Sequence, residues 1–290
     1  MVDRSLLRTN IDIAPWQPAT ALWRAIEVEH LLESGSLPGE GRGLDLGCGD
    51  GSIMLLVRRA KGSRWTLVGL DPDREELEIA LTRQVYDGLL AAEGDAIPEN
   101  DESFDFVFSN SVLEHVDSLE PSIAEVSRVL KPSGVFLFTV PSEFFHANLG
   151  APGWLGMIAT GTRNSEDYHR AIDRRLYHLR YWDLHRWREA LAGSGLRVVH
   201  SSYYMSRRET KRWAWLSNAT AGLLVRLIGG SRARPIDIQR RIGIRRSEAP
   251  IWLRVPGRVI VALGTMGLDR RADLVTNGSC LLVVAIKQAP

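Results

Sequence analysis

The segment Gly43-Leu44-Asp45-Leu46-Gly47-Cys48-Gly49-Asp50-Gly51, followed by Ser52-Ile53-Met54-Leu55-Leu56, carries the clearest chemical pattern in the chain. An apolar strand that runs into a glycine turn and then a helix lets a ligand approach the backbone closely. The spacing is Asp-x-Gly-x-Gly-x-Gly, not the GxGxxG that admits a pyrophosphate, and Ser52 stands where the third glycine of that fingerprint would fall. Asp45, ahead of the glycines, would repel a pyrophosphate and suits an ammonium or sulfonium ligand. The phosphate-cradling GxxxxGK pattern is absent, which removes simple P-loop chemistry. Asp71 ends the next apolar run, where a carboxylate can accept hydrogen bonds from both hydroxyls of a ribose. Gly94-Asp95-Ala96 ends a third, and Asp95 there can accept from an adenine amino group. Three successive strand ends thus offer partners for an amino acid, a ribose and a base.

The elements that must position these groups alternate in the manner of a parallel α/β sheet. Short apolar runs lie at Gly43–Cys48, Trp65–Asp71, Leu89–Ala92, Phe104–Asn110 and Gly134–Val140. Between the last two, Ile123, Val126 and Leu130 share one helical face, with Pro132 and Gly134 as the stop. Thr20–Leu32 reads as an amphipathic helix. Asp183 is placed to cap a helix carrying Leu184, Trp187 and Leu191, and strands are expected at Leu196–Met205 and Ser279–Lys287. Binding is expected in the crevice beyond the carboxyl ends of the strands.

The chain resembles the class I S-adenosylmethionine-dependent methyltransferases, most closely the type 11 group. The glycine segment, Val68-Gly69-Leu70-Asp71, Gly94-Asp95-Ala96 and Ser103-Phe104-Asp105 carry the resemblance, followed by Ser109-Asn110-Ser111-Val112-Leu113-Glu114-His115-Val116 and Arg128-Val129-Leu130-Lys131-Pro132-Ser133-Gly134. It covers 43–140 and is silent on the rest. It implies a doubly wound, seven-stranded, mostly parallel sheet, a Rossmann-like methyltransferase fold with helical cap insertions and an antiparallel last strand. It implies S-adenosyl-L-methionine as cofactor. The residues expected to hold it are Asp45, Gly47, Cys48, Gly49 and Gly51 from the glycine turn, Asp71 and Pro72 from the second strand end, and Asp95, Ala96 and Asn110 further on. Asp105 reads as structural, and His115 as packing at a helix start. The chain departs from the pattern at Ile97-Pro98-Glu99, where family members often carry an LPF-like tripeptide, and at Ser133-Gly134, where Gly-Gly is usual.

The reaction implied is transfer of the sulfonium methyl to a nucleophile by in-line displacement, in which alignment supplies much of the rate. A hydroxyl acceptor also needs a general base. His146, His169 and His178, in the aromatic segment 141–180, are the candidate bases, with Tyr168 and Tyr177 as shaping groups. No cysteine or histidine cluster suggests a metal.

Of the 290 residues, 36 are Lys or Arg and 35 are Asp or Glu, a net charge of +1 that taken whole argues against a nucleic-acid binder. The charge is unevenly spread, however. Residues 1–200 hold 20 basic and 30 acidic side chains, and 201–290 hold 16 and 5. Residues 206–278 read as a basic, Trp-containing helical insertion with apolar stretches at Trp213–Ile228 and Ile251–Leu268, outside a core of 1–205 and 279–290. Basic residues beside Trp and apolar helix faces fit peripheral contact with a membrane surface. Two cysteines, no signal-peptide core and no long apolar run fit a cytoplasmic location without a spanning helix. The acceptor expected is a hydroxyl on a small molecule, glycan or lipid-linked precursor. The rival readings are a nicotinamide-dependent oxidoreductase and a non-catalytic cofactor-binding protein docked at a membrane. RNA binding ranks below these, because no RNA-binding module is recognisable.

Overall fold

A computed structural model describes residues 4–13, 17–62, 64–228, 238–240, 251–265 and 275–288. The chain folds as two compact units. One, the sheet unit, comprises 30–143, 180–204 and 280–290; the other, the helical unit, comprises 1–29, 144–179 and 205–279. The expected division differs: 1–29 and 144–179 group with the basic insertion, not with the sheet.

The sheet unit is built on β1 (Glu40–Leu46), β2 (Arg64–Leu70), β3 (Gly88–Leu90), β4 (Phe104–Asn110), β5 (Leu130–Pro141), β6 (Leu196–Tyr204) and β7 (Cys280–Lys287). They form a single seven-stranded sheet in the order β3-β2-β1-β4-β5-β7-β6. β7 runs antiparallel to both neighbours, and the pairings from β3 to β5 are parallel. Strands of a covered parallel sheet are buried on both faces, and Phe104, Phe106, Val107 and Phe108 of β4 are all enclosed. Two helices, Leu119–Val129 and Leu184–Ala192, pack Ile123, Val126, Trp187 and Leu191 into one continuous core with the sheet. Asp183 caps the second, its Oδ1 accepting from the Arg186 N–H at 2.8 Å. The first ends earlier than Pro132 and Gly134 would stop it: Leu130 is already extended, and β5 starts there. The register with β4, Phe104 opposite Leu130, outweighs the helical periodicity of that leucine.

The helical unit takes shape around an aromatic cluster. Trp23, Phe145 and Trp213 meet with ring centroids 5.2–5.8 Å apart. Its helices include Arg4–Ile13, Phe145–Leu149, Trp154–Thr160, Ser165–Leu176 and Arg207–Ser217. A π-helical turn at Asn218–Gly222 continues into Leu223–Ile228, and a further helix spans Ile251–Thr265. Gly264 lets that last helix approach closely, since a Cβ there would lie 2.6 Å from Leu216. Asp12 and Arg258 form a two-point ion pair at 2.7 and 2.5 Å that ties the N-terminal helix to it. Asn148 bonds the Asn277 carbonyl and the Ser279 hydroxyl, drawing the 141–180 segment and the end of the insertion together. These contacts join residues up to about 250 positions apart, which explains why the grouping departs from the sequence order. Residues 266–268 of the second apolar stretch and the side chain of Trp252 lie outside the described residues.

Candidate functional site

The glycine turn sits between β1 and the helix Ser52–Lys61. Gly47, Gly49 and Gly51 all adopt the left-handed conformation, with φ of 75°, 50° and 73°. Their surroundings separate their roles. A Cβ on Gly47 would strike Val112 at 2.4 Å, so the loop needs a bare backbone there in order to close. A Cβ on Gly49 would meet nothing within 4 Å, so that glycine leaves its face open to an approaching ligand. The Gly47 and Cys48 amides both donate to the Leu70 carbonyl at 2.8 and 3.0 Å, fastening the turn to the end of β2. Cys48 contributes through its backbone; burial and the carboxylates of Asp45 and Asp71 push its thiol far up, and it stays protonated.

Asp71 follows β2, as its position in the apolar run implies. Its Oδ2 accepts from the Gly49 N–H at 2.8 Å and its Oδ1 from the Asp73 N–H at 2.9 Å. The same carboxylate therefore holds the open glycine and retains a lone pair on each oxygen for a hydroxyl pair. Burial raises its pKa, and the two amides oppose that rise. Pro72 is exposed in the turn beside it.

Asp45, in β1, is enclosed and bonded to the Tyr86 hydroxyl at 2.5 Å. Burial pushes its carboxyl up to about 7; the Tyr86 hydrogen bond opposes this and the Asp71 charge adds to it. No basic side chain among the described residues pairs with it. Asp50, by contrast, is neutralised by Arg83 at 2.8 Å. Tyr86 is a site residue that sequence reasoning missed, and nothing in its local pattern marks it.

The third strand end differs from expectation. β3 stops at Leu90, and Gly94-Asp95-Ala96 lies in the turn beyond it, with Asp95 and Ala96 exposed. Arg128 anchors this loop by donating to the Ile97 and Glu99 carbonyls at 2.9 and 2.8 Å and pairing with Asp101 at 2.7 Å. Ile97 itself is buried in the core, so the departure from the LPF-like tripeptide keeps an apolar anchor. Asn110 closes β4, its Oδ1 accepting from the Thr139 hydroxyl at 3.2 Å. Ser111 after it is held at φ 52°, its N–H bonded to the Thr139 carbonyl at 2.9 Å. Asp105 accepts from the Arg42 N–H and pairs with Lys131 at 2.7 Å, a structural role. His115 lies in a turn closed by its N–H to the Val112 carbonyl, ahead of the helix instead of at its start.

The three histidines belong to the helical unit, where His146 and His169 meet directly and His178 packs on Phe145. His146 Nε2 lies 2.9 Å from Asp173 Oδ1. His169 stacks on the His146 ring at 4.6 Å, and its Nε2 bonds the Gly150 carbonyl at 3.0 Å. His178 sets its ring edge-on to Phe145, and its N–H reaches the Asp173 carbonyl at 3.2 Å. Asp173 holds His146 by its side chain and His178 by its backbone carbonyl, and spacing alone did not mark it. Tyr168 is buried, whereas Tyr177 is exposed and ends its helix in the left-handed conformation at φ 65°.

A sheet of this order with an acidic residue before a GxGxG turn and a second carboxylate ending β2 has the class I methyltransferase fold, and methyltransferases of this fold use S-adenosylmethionine as methyl donor. Residues 44–138 match the family model described as a methyltransferase domain, in keeping with the type 11 resemblance of the sequence. A Serratia marcescens malonyl-(acyl-carrier protein) O-methyltransferase is 36% identical over 125 residues, 43% of this chain and 47% of that protein. A Dictyostelium discoideum mitochondrial ubiquinone biosynthesis O-methyltransferase is 30% identical over 160 residues, 49% of each. The chain thus spans about half the length of these curated relatives. Among solved structures, the complex between the Haloferax volcanii Trm112 methyltransferase activator and a methyltransferase contains a chain similar at TM-score 0.54 and 18% identity, covering 93% of this chain and 94% of that one. The cyclase SpnF is similar at TM-score 0.53 and 18% identity, over 92% and 82%. That neighbour carries a different chemistry, so the fold alone does not name the reaction.

The residues present fit the cofactor. A buried Asp45 beside Asp71, with no basic side chain against it among the described residues, favours a cation, and the open face of Gly49 admits close approach.

Proposed function

We propose that the protein transfers a methyl group from S-adenosylmethionine to an oxygen of a small-molecule, glycan or lipid-linked acceptor. The observation that carries this reading is Asp71 holding the open Gly49 at one strand end, with the buried Asp45 at the adjacent one near enough to feel its charge. Bound S-adenosylmethionine supplies an electrophilic methyl on a sulfonium centre. Asp71 accepts from the ribose hydroxyls while holding Gly49, Asp45 offsets the cofactor's positive charge, and Asp95 with Ala96 borders the base. Gly47, Cys48 and Gly51 set the turn, Pro72 its exit, and Asn110 is fixed by Thr139 at the end of β4. His146, oriented by Asp173 and stacked on His169, takes the proton of the acceptor hydroxyl, and His178, edge-on to Phe145, is the remaining candidate. The names of both relatives describe O-methylation, which supports oxygen as the acceptor atom.

The test is transfer of labelled methyl from S-adenosylmethionine into a metabolite and lipid extract. A labelled ether or ester is expected, and release by mild base separates the two. Cofactor binding without any labelled product would leave the non-catalytic reading standing, and tighter binding of NAD would favour the oxidoreductase.

A second feature supports contact with an anionic membrane surface. The helix Ile251–Thr265 turns Val255, Val259 and Leu263 outward at 52–60% exposure, on successive turns, in a region with three times as many basic as acidic residues. Arg258 is engaged by Asp12, so the remaining basic residues of 206–278 must supply the attraction. Among the described residues no helix is long and apolar enough to cross a membrane.

A further inference from the structure

Arg175 stands on the helix Ser165–Leu176 of the helical unit, on the same face as Tyr168 and Ile172, and only 9% of its surface is exposed. A guanidinium taken out of water is normally matched by a carboxylate. Arg175 has none among the described residues. Its Nη2 donates to the Ser217 hydroxyl at 2.9 Å and to the Asn218 side-chain carbonyl at 3.2 Å, both neutral. Its Nε is enclosed with no acceptor, and its Nη1, which is not fully enclosed, makes no hydrogen bond among the described residues. Burial lowers its pKa to about 10, which leaves it cationic at neutral pH.

The neighbours add a further donor. Asn218 orients its amide between two residues of the helix Ser165–Leu176, accepting from Arg175 on one side and donating from Nδ2 to the Tyr168 hydroxyl at 2.8 Å on the other. That hydroxyl, having accepted, still carries a proton for which the described residues offer no acceptor. The backbone is shaped around this group as well. Asn218–Gly222 is a π-helical turn, a local insertion often found at functional positions. A Cβ on Gly222 would fall 2.4 Å from Arg175 Nη1, so only glycine leaves that nitrogen its place. The enclosed Nε proton, the two protons of Nη1 and one phenol proton therefore gather in one cluster that lacks an acceptor among the described residues.

We infer that Arg175 and Tyr168, held by Ser217 and Asn218, form a binding site for a single oxyanion group, a carboxylate or a phosphate, on a ligand of this protein. The site lies wholly within the helical unit and does not depend on the methyl-transfer reading. Such a group would complete the donors of Arg175 and Tyr168 and offset the buried charge. A guanidinium serving packing alone would be improved by an apolar replacement, because an uncompensated buried charge is costly.

The test is thermal unfolding of the full chain in rising inorganic phosphate or rising succinate, with chloride holding ionic strength constant. The apparent Tm of the parent is expected to rise saturably with at least one probe. Response to phosphate alone assigns a phosphate-bearing ligand, and response to succinate alone a carboxylate-bearing one. Arg175→Met is expected to fold, to match or exceed the parent in chloride without either probe, and to bind the active probe at least about tenfold more weakly. Tyr168→Phe, which keeps the ring, is expected to weaken binding about three- to tenfold and serves if Arg175→Met does not fold. A parent that responds to neither probe beyond chloride, or variants that respond as the parent does, would overturn the inference.

Discussion

In the sheet unit the candidate site sets two carboxylates at strand ends, the buried Asp45 and the half-buried Asp71, held by a phenol and by backbone amides. In the helical unit Arg175 is enclosed among neutral side chains, and Asp173 orients His146. The first arrangement uses neighbours set by strand register. The second uses side chains that the chain must bring from distant positions. The comparison implies a division of labour: changes in the sheet unit should act on cofactor affinity, and changes in the helical unit on turnover or on other ligands.

The largest effect should come from the loop itself. Gly47→Ala adds a Cβ against Val112 and a side chain at a left-handed position, and should cost about 3 kcal/mol of stability, or about 10 °C in Tm. Gly49→Ala has open space and should cost only about 1 kcal/mol from its backbone, while weakening the cofactor about tenfold. Equal Tm losses for the two would break the distinction between a closing glycine and a ligand-facing one. Next in size, Asp71→Ala should weaken cofactor binding by about 1.5–3 kcal/mol in a calorimetric titration, since charge-assisted bonds are lost. Unchanged affinity would remove the ribose assignment.

The same contrast explains what could be read before the structure was known. β4 was legible as Phe104–Asn110 because a covered parallel strand writes a continuous apolar run, and Asp183 was legible as a cap because capping is local. Asp45, Asp71 and the three glycines follow from strand ends and turns, which are local too. Tyr86, Arg128 and Asp173 were not legible, because each acts through a tertiary contact with no periodic signature. Leu130 misled for the same reason, its helical spacing yielding to pairing with Phe104. The helical unit as a whole escaped because its three segments are joined by packing such as Trp23 with Phe145 and Trp213.

Asp173→Asn should lower kcat by about 10–100-fold by releasing His146 from its orientation, and should leave the cofactor Kd unchanged. A matching loss of cofactor affinity would contradict the division between the units. Asp45 makes a pH-dependent prediction of about tenfold. Its folded pKa of about 7 lies above the ordinary 3.8, so its ionisation weakens the fold as pH rises from about 4 to about 7, and the effect is constant above that. A cationic ligand favours the ionised form, so cofactor affinity should rise about tenfold between pH 6 and pH 8. Asp45→Asn should flatten that dependence, and a parent with no dependence would mean that the cofactor charge does not meet Asp45.

The smallest expected effect concerns the outward face of Ile251–Thr265. Val259→Glu places a charge between Val255 and Leu263 without touching Arg258 or the buried Val261. Burial of the face in a lipid interface and attraction of basic residues to anionic headgroups should both contribute to binding. The variant should therefore co-sediment with anionic liposomes about fivefold less than the parent, at unchanged Tm and cofactor Kd. Raised salt should weaken the parent further, because the electrostatic part is screened while the apolar part persists. Equal binding to neutral and anionic vesicles would assign the contact to the valines and leucine alone, and the uneven charge of the chain would then serve some other ligand.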